Sequence, residues 1–270
     1  AFYEYDYQLL SQPGVLLREE PLQPHQSVPG AIENIRILYS STDGIDGHTA
    51  IAVSGSLLLP AGSPPEDGWP LLLWSHGTVG IADVCAPTWT GYRQVHLDYL
   101  KRWLEQGYAI VTSDYQGLGT AGTHPYLATR PASYSNLDVI RAVQNSPYPL
   151  SDRVVLVGQS QGAAAAFATA GYFPQYAPEL DIRAVVATGI PYFTPETLIH
   201  LAKTRPRDVV DPTLGYNLTA MTLIEQMRPD FDFTEYVSPA AMPTFQEIET
   251  ACYQQIKVRI AERQLTYNKT

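Results

Sequence analysis

The string Gly158-Gln159-Ser160-Gln161-Gly162 sets a serine between two glycines, directly after the apolar run 154–157 and directly before an alanine-rich stretch of helical character. A GxSxG pentapeptide between strand and helix holds its serine on a tight, strained turn. Side chains at the flanking positions would collide with strand and helix there, and glycine removes the collision. The Ser160 hydroxyl is then presented at the C-terminal edge of a sheet. The helix that follows offers unpaired backbone N–H groups and the positive end of its dipole, so the Gln161 amide can stabilise a developing oxyanion. The chemistry that this arrangement suits is nucleophilic attack on a carbonyl.

Trp74-Ser75-His76-Gly77-Thr78 runs from a buried strand into a His-Gly loop. A second oxyanion donor is expected there, on the Thr78 amide, with Val79 and Gly80 as alternatives one or two residues on. His76 is read as a loop-ordering hydrogen bonder rather than a general base. In Ser113-Asp114-Tyr115-Gln116-Gly117-Leu118-Gly119, again after an apolar strand, Asp114 is expected to hold the strand-end turn through Asx-type bonds and Tyr115 to line a pocket. Downstream of Ser160 the only histidine is His200, inside the apolar helical stretch 197–202. Asp181, Asp208, Asp211, Asp230 and Asp232 sit in surface contexts, so no acid and base for Ser160 are expected from within this sequence.

These residues need a scaffold, and 270 residues suit one enzyme-sized unit. Apolar runs at 71–74, 108–112, 154–157 and 182–187 alternate with helical patterns at 98–106, 133–144 and 161–172, which predicts a parallel α/β sheet with helices on both faces. Ahead of them, 32–39 and 50–59 read as an antiparallel pair, and the proline-rich first thirty residues as an extended arm. The rhythm stops near Pro191. Residues 1–192 are therefore expected to form the arm and core, and 193–270 a helical cap.

Seventeen Lys and Arg against 27 Asp and Glu leave a net charge of −10, with no basic cluster longer than Lys101-Arg102, which argues against nucleic-acid binding. The longest apolar stretches, 154–157 and 163–170, fall well short of the roughly 20 residues that span a bilayer, so no transmembrane segment is expected. The chain opens at Ala1 without a charged-then-apolar leader, as a processed or trimmed start would. No zinc or CxxC spacing relates Cys85 and Cys252, which leaves two buried thiols or a disulfide.

Taken together the motifs resemble the α/β-hydrolase superfamily and, more narrowly, the secretory lipase family. The elbow is similar to that family's G-H/Q-SQG string, the loop at 113–119 to its DYxGLG string, Cys85-Ala86-Pro87-Thr88 to its CAPS string, Tyr176-Ala177-Pro178-Glu179-Leu180 to its YAPEL segment, and Pro13-Gly14-Val15-Leu16-Leu17-Arg18 to its N-terminal arm. The resemblance implies a secreted or periplasmic serine esterase or lipase that acts on small-molecule or lipid esters with no metal or cofactor. It also implies a Cys85–Cys252 disulfide between core and cap. The implied fold is a mostly parallel sheet with a helical cap, the C-terminal strands being missing from this chain. A complementary C-terminal polypeptide or a longer chain is then expected to supply the triad Asp and His. Phe231, Phe233, Tyr236 and Phe245 offer apolar lining for an acyl pocket, with packing of the cap on the core as the alternative. Acyl transfer, amide hydrolysis and a non-catalytic binding role remain alternatives on the same scaffold.

Overall fold

The computed structural model describes residues 2–6, 10, 12–228 and 230–270; residues 1, 7–9 and 11, part of the expected arm, lie outside the described residues. The chain runs through β1 (Leu16–Pro21), β2 (Ala31–Thr42), β3 (Ala50–Pro60), β4 (Trp69–Ser75), α1 (Pro87–Thr90), α2 (Gln94–Glu105), β5 (Ala109–Ser113), α3 (Thr129–Gln144), β6 (Leu150–Gln159), α4 (Gln161–Tyr176) and β7 (Asp181–Thr188). Four helices follow: α5 (Pro195–Thr204), α6 (Leu214–Met227), α7 (Met242–Glu247) and α8 (Tyr253–Glu262).

The strands form one sheet in the spatial order β1-β2-β3-β5-β4-β6-β7. The pairs β5/β4, β4/β6 and β6/β7 are parallel, and β1/β2, β2/β3 and β3/β5 antiparallel, so all strands but β1 and β3 point the same way. Central β4 shows why. Its apolar run is buried on both faces, as helix-covered parallel strands require. Leu71 and Leu73 pack with Val139 and Ile140 of α3 and Ala166 of α4, while Leu72 and Trp74 pack with Leu100 and Leu104 of α2 on the opposite face. The period of two thus divides one sequence run between two cores.

Strand β1 departs from the expected arm, because Leu16–Pro21 pairs antiparallel with β2. Arg18, Glu19, Glu20 and Pro21 mask it in the sequence, and they are residues an edge strand tolerates with one side open to water. From Pro191 onward the described residues are helical or irregular, with one isolated bridge between Val210 and Thr266. Leu214, Leu218, Phe245, Ile256, Ile260 and Leu265 form the small core of this segment, which Ile81 and Tyr126 join from the sheet side. Cys85 and Cys252 are disulfide-bonded with Cα atoms 5.3 Å apart. Beside the bridge, Tyr253 N–H donates to the Val79 carbonyl at 2.7 Å. Among the described residues no helix is long and apolar enough to cross a membrane.

Candidate active site

Ser160 links β6 to α4 with φ 58° and ψ −123°, the left-handed region that L side chains rarely adopt. The flanking glycines allow it. A Cβ at Gly158 would lie 2.0 Å from the Gly162 carbonyl oxygen, and one at Gly162 would lie 1.9 Å from that of Ser75. Ser160 N–H donates to Thr188 O at 2.9 Å, which fixes the turn to the end of β7. Tyr115 and Leu127 also have positive φ, and both lie in the segments around the elbow, where stored backbone strain commonly gathers.

The His76-Gly77-Thr78 turn lies against the elbow: a Cβ at Gly77 would sit 3.6 Å from Ser160 Cβ and 3.1 Å from Gln159 O. Among the described residues neither the Thr78 nor the Gln161 backbone N–H is spent in a hydrogen bond. Their side chains are tied, Thr78 Oγ1 to the Tyr126 hydroxyl at 2.8 Å and Gln161 Nε2 to His124 Nε2 at 2.9 Å. His76 is buried, with Nδ1 2.8 Å from Gly77 O and Nε2 3.4 Å from Asp114 O. Burial holds its imidazole down at about 4, so near neutral pH it orders the loop as an uncharged ring.

Two expectations for the 113–119 loop need correction. Asp114 closes no Asx turn; its carboxylate accepts from Ser54 Oγ at 2.6 Å and from the Thr88 hydroxyl, binding β3 to α1, and burial raises it to about 6. Tyr115 does not line a pocket. It is fully buried, its hydroxyl donates to His76 O at 3.0 Å, and its ring lies 4.4 Å from that of His76 and 6.0 Å from that of His124.

Two clefts meet at Ser160. One of about 390 Å³ includes Thr78, Tyr92, Arg93, His96, Tyr216 and Lys257 in its wall, with no acidic side chain. The other, of about 560 Å³, includes Tyr126, Leu127, Phe193, Leu201 and Tyr216. The expected wall of Phe231, Phe233, Tyr236 and Phe245 belongs to neither cleft. Phe233 and Phe245 pack on each other at 4.6 Å in the helical core, and Phe231 stacks at 4.9 Å on an exposed Tyr236. The actual lining comes from loops and from α2, α5, α6 and α8, and the polar aromatics of α6 and α8 carry no pattern that separates a cleft wall from packing. Tyr216, stacked on Tyr253 at 4.3 Å, is such a residue.

No described residue hydrogen-bonds the Ser160 hydroxyl. His200 is exposed on α5. Asp181, Asp211 and Asp230 are ion-paired with Arg183, Arg205 and Arg228, Asp208 accepts from Asn268, and Asp232 caps the turn at Thr234. Among the described residues no group of His, Cys, Asp and Glu is placed to hold a metal ion.

The fold is similar to that of Candida antarctica lipase A in its closed state, with a TM-score of 0.73 and 23% identity over 95% of this chain and 60% of that one. It is also similar to the rice cell wall degrading esterase LipA from Xanthomonas oryzae, with a TM-score of 0.70 and 22% identity over 93% of this chain and 70% of that one. Lipase A of Moesziomyces aphidis is 30% identical over 130 residues, 48% of this chain and 26% of that protein. The chain therefore spans less than two thirds of the length of both lipases. The family model described as secretory lipase matches residues 84–270, more than half of the sequence and the part that holds the elbow and the disulfide; this chain belongs to the secretory lipase family, on an α/β-hydrolase fold.

Proposed function

We propose that the protein hydrolyses carboxylic esters through an acyl-enzyme on Ser160. The observation that carries this reading is the strained elbow, which presents Ser160 to two clefts beside the unspent amides of Thr78 and Gln161. Ser160 Oγ attacks the ester carbonyl carbon, the two amides hold the oxyanion, and the alkoxide departs with the proton taken from the serine. Water then cleaves the acyl-enzyme. Two clefts meeting at the nucleophile suit the two arms of an ester, and the one holding Leu127, Phe193 and Leu201 suits an acyl chain.

The general base and its acid are assigned to a complementary C-terminal segment. His124 is buried and engaged at both ring nitrogens, His76 is buried with Nδ1 beside the Gly77 carbonyl, and His200 is exposed, which leaves them poor bases for Ser160. In support, β7 is an edge strand of the described sheet, and Val186 and Thr188 border a cleft of about 400 Å³ that also contains Gln159. A parallel strand added there would end level with Ser160. Family membership and the Cys85–Cys252 bridge are consistent with a secreted protein.

The test is hydrolysis of p-nitrophenyl esters by the full-length protein, with fluorophosphonate labelling. Ser160→Ala is expected to abolish labelling and to lower turnover by at least about 10⁴-fold, the scale of removing a triad nucleophile. Retention of full activity by that variant would sink the proposal.

A further inference from the structure

We infer that the loop carrying His124 and Tyr126 sets the spacing of the two oxyanion donors, with both residues acting as positioning residues; this rests on the reading of Ser160 as the nucleophile. The two donors belong to separate parts of the fold, Thr78 to the loop after β4 and Gln161 to the first turn of α4. The two segments pack on each other where Gly77 meets Ser160 and Gly162 meets Ser75, and an oxyanion hole works only when both N–H groups meet one oxygen at about 2.7–3.1 Å.

The loop ties the two donor residues together a second time, through their side chains. Tyr126 OH bonds Thr78 Oγ1 at 2.8 Å, and two residues earlier His124 Nε2 accepts from Gln161 Nε2 at 2.9 Å. The pair is locked to itself by Tyr126 N–H to His124 O at 2.8 Å. Because His124 Nε2 accepts, Nδ1 carries the ring proton and donates to Gln116 O at 2.9 Å. Gln116 in turn accepts from Gly44 N–H at 2.9 Å and donates its own N–H to Ser135 Oγ on α3 at 3.1 Å. The loop also closes tightly, since a Cβ at Gly117 would lie 2.5 Å from the Thr123 backbone. Tyr115 adds a third tie, its ring stacked on that of His124 and tilted against that of His76, with its hydroxyl on His76 O, two residues before Thr78. Neither His124 nor Tyr126 hydrogen-bonds the serine hydroxyl; His124 reaches the donors through the Gln161 side chain and Tyr126, which also borders the cleft, through that of Thr78.

The experiment compares Tyr126→Phe, His124→Asn and His124→Gln in the full-length protein. Asn places an amide near the Nδ1 position and loses the acceptor for Gln161; Gln places one near Nε2 and restores it. Tyr126→Phe and His124→Asn are each expected to lower kcat about tenfold with KM within about twofold, a tenth of the loss from deleting a donor outright. His124→Gln is expected to recover to within about threefold of the parent. Affinity for a trifluoromethyl ketone, which forms the tetrahedral oxyanion, should fall by the same factor as kcat, whereas a role limited to stability would leave it unchanged. Unchanged kcat and ketone affinity in labelled, active Tyr126→Phe would overturn the clamp alone. A parent protein that neither turns over esters nor labels at Ser160 would remove the nucleophile reading and the clamp with it. Should His124→Asn fail to fold, Tyr126→Phe decides, since it removes one oxygen from an otherwise identical ring.

Discussion

The sheet with its three flanking helices and the helical segment after Pro191 border the same clefts and are built differently. In the former, Leu71, Leu72, Leu73, Ile110 and Leu156 are completely buried in cores on both faces, and the elbow grows out of that packing. In the latter a single small core holds α6, α7 and α8, while α5 buries no residue and leaves Leu198, Ile199 and Leu201 about half exposed, at 51%, 54% and 48%. The groups proposed to do chemistry therefore stand on the part that has least freedom to move. Much of the wall that would meet substrate comes from the part with fewer buried contacts, where opening is cheaper. The Cys85–Cys252 bridge and the Tyr253–Val79 bond fasten one to the other directly behind Thr78.

The largest effect that would sharpen this contrast belongs to Gly162. A Cβ there meets the Ser75 carbonyl oxygen at 1.9 Å, and backbone cannot give way as a side chain can. Gly162→Ala should destabilise by more than about 3 kcal/mol in chemical denaturation, at the scale of severe core mutations. Equal stability of this variant and the parent would break the picture of a rigid elbow. Next comes the bridge, whose partners lie 167 residues apart. Replacing both cysteines by serine should cost about 3–5 kcal/mol by loop entropy, and limited proteolysis should show the first cuts after Pro191 rather than within the sheet.

A smaller, pH-dependent effect separates the two parts by charge. Burial lowers His76 and His124 to about 4, below the unfolded value near 6.5. Their contribution to stability is full above pH 6.5 and is lost as pH falls toward 4, up to about 3 kcal/mol for each ring. Asp114, raised to about 6, works in the opposite sense, because its protonation between pH 6 and 4 favours the folded state. The thermal midpoint is expected to drop from pH 7 to pH 4.5, with a shallower drop in His124→Asn; an unchanged slope in that variant would place the acid sensitivity elsewhere. The least effect is expected on α5. Leu198→Ser should change stability by less than about 0.5 kcal/mol, as at other exposed positions, and a larger loss in a melting curve would show that α5 packs more tightly than its exposure indicates.

The parallel core was legible because its strands are continuous apolar runs between helical periods, and β4 and β6 need no context to be read. The elbow was legible for a similar reason, since Gly158 and Gly162 answer a local steric demand. Strand β1 was not, because charged residues and proline suit an edge and a loop equally well. The cleft walls were harder still. Phe233 and Phe245 look like a pocket in sequence and pack on each other, whereas Tyr126 and His124 sit on an irregular loop whose contacts with Thr78 and Gln161 lie 48 and 37 residues away. No periodicity encodes contacts of that kind.

The two borders of the sheet also differ in how they would behave in a concentrated solution. Along β1, Arg18, Glu19, Glu20 and Pro21 discourage a second strand from adding. Along β7, the stretch Ala184-Val185-Val186-Ala187-Thr188 has neither charge nor proline, and Val186 is 39% exposed. Whatever is not covered at that border is a template for self-association, so purification and storage of this polypeptide by itself should favour low concentration, and a lysine at position 186 is the change to make first when clear samples turn cloudy.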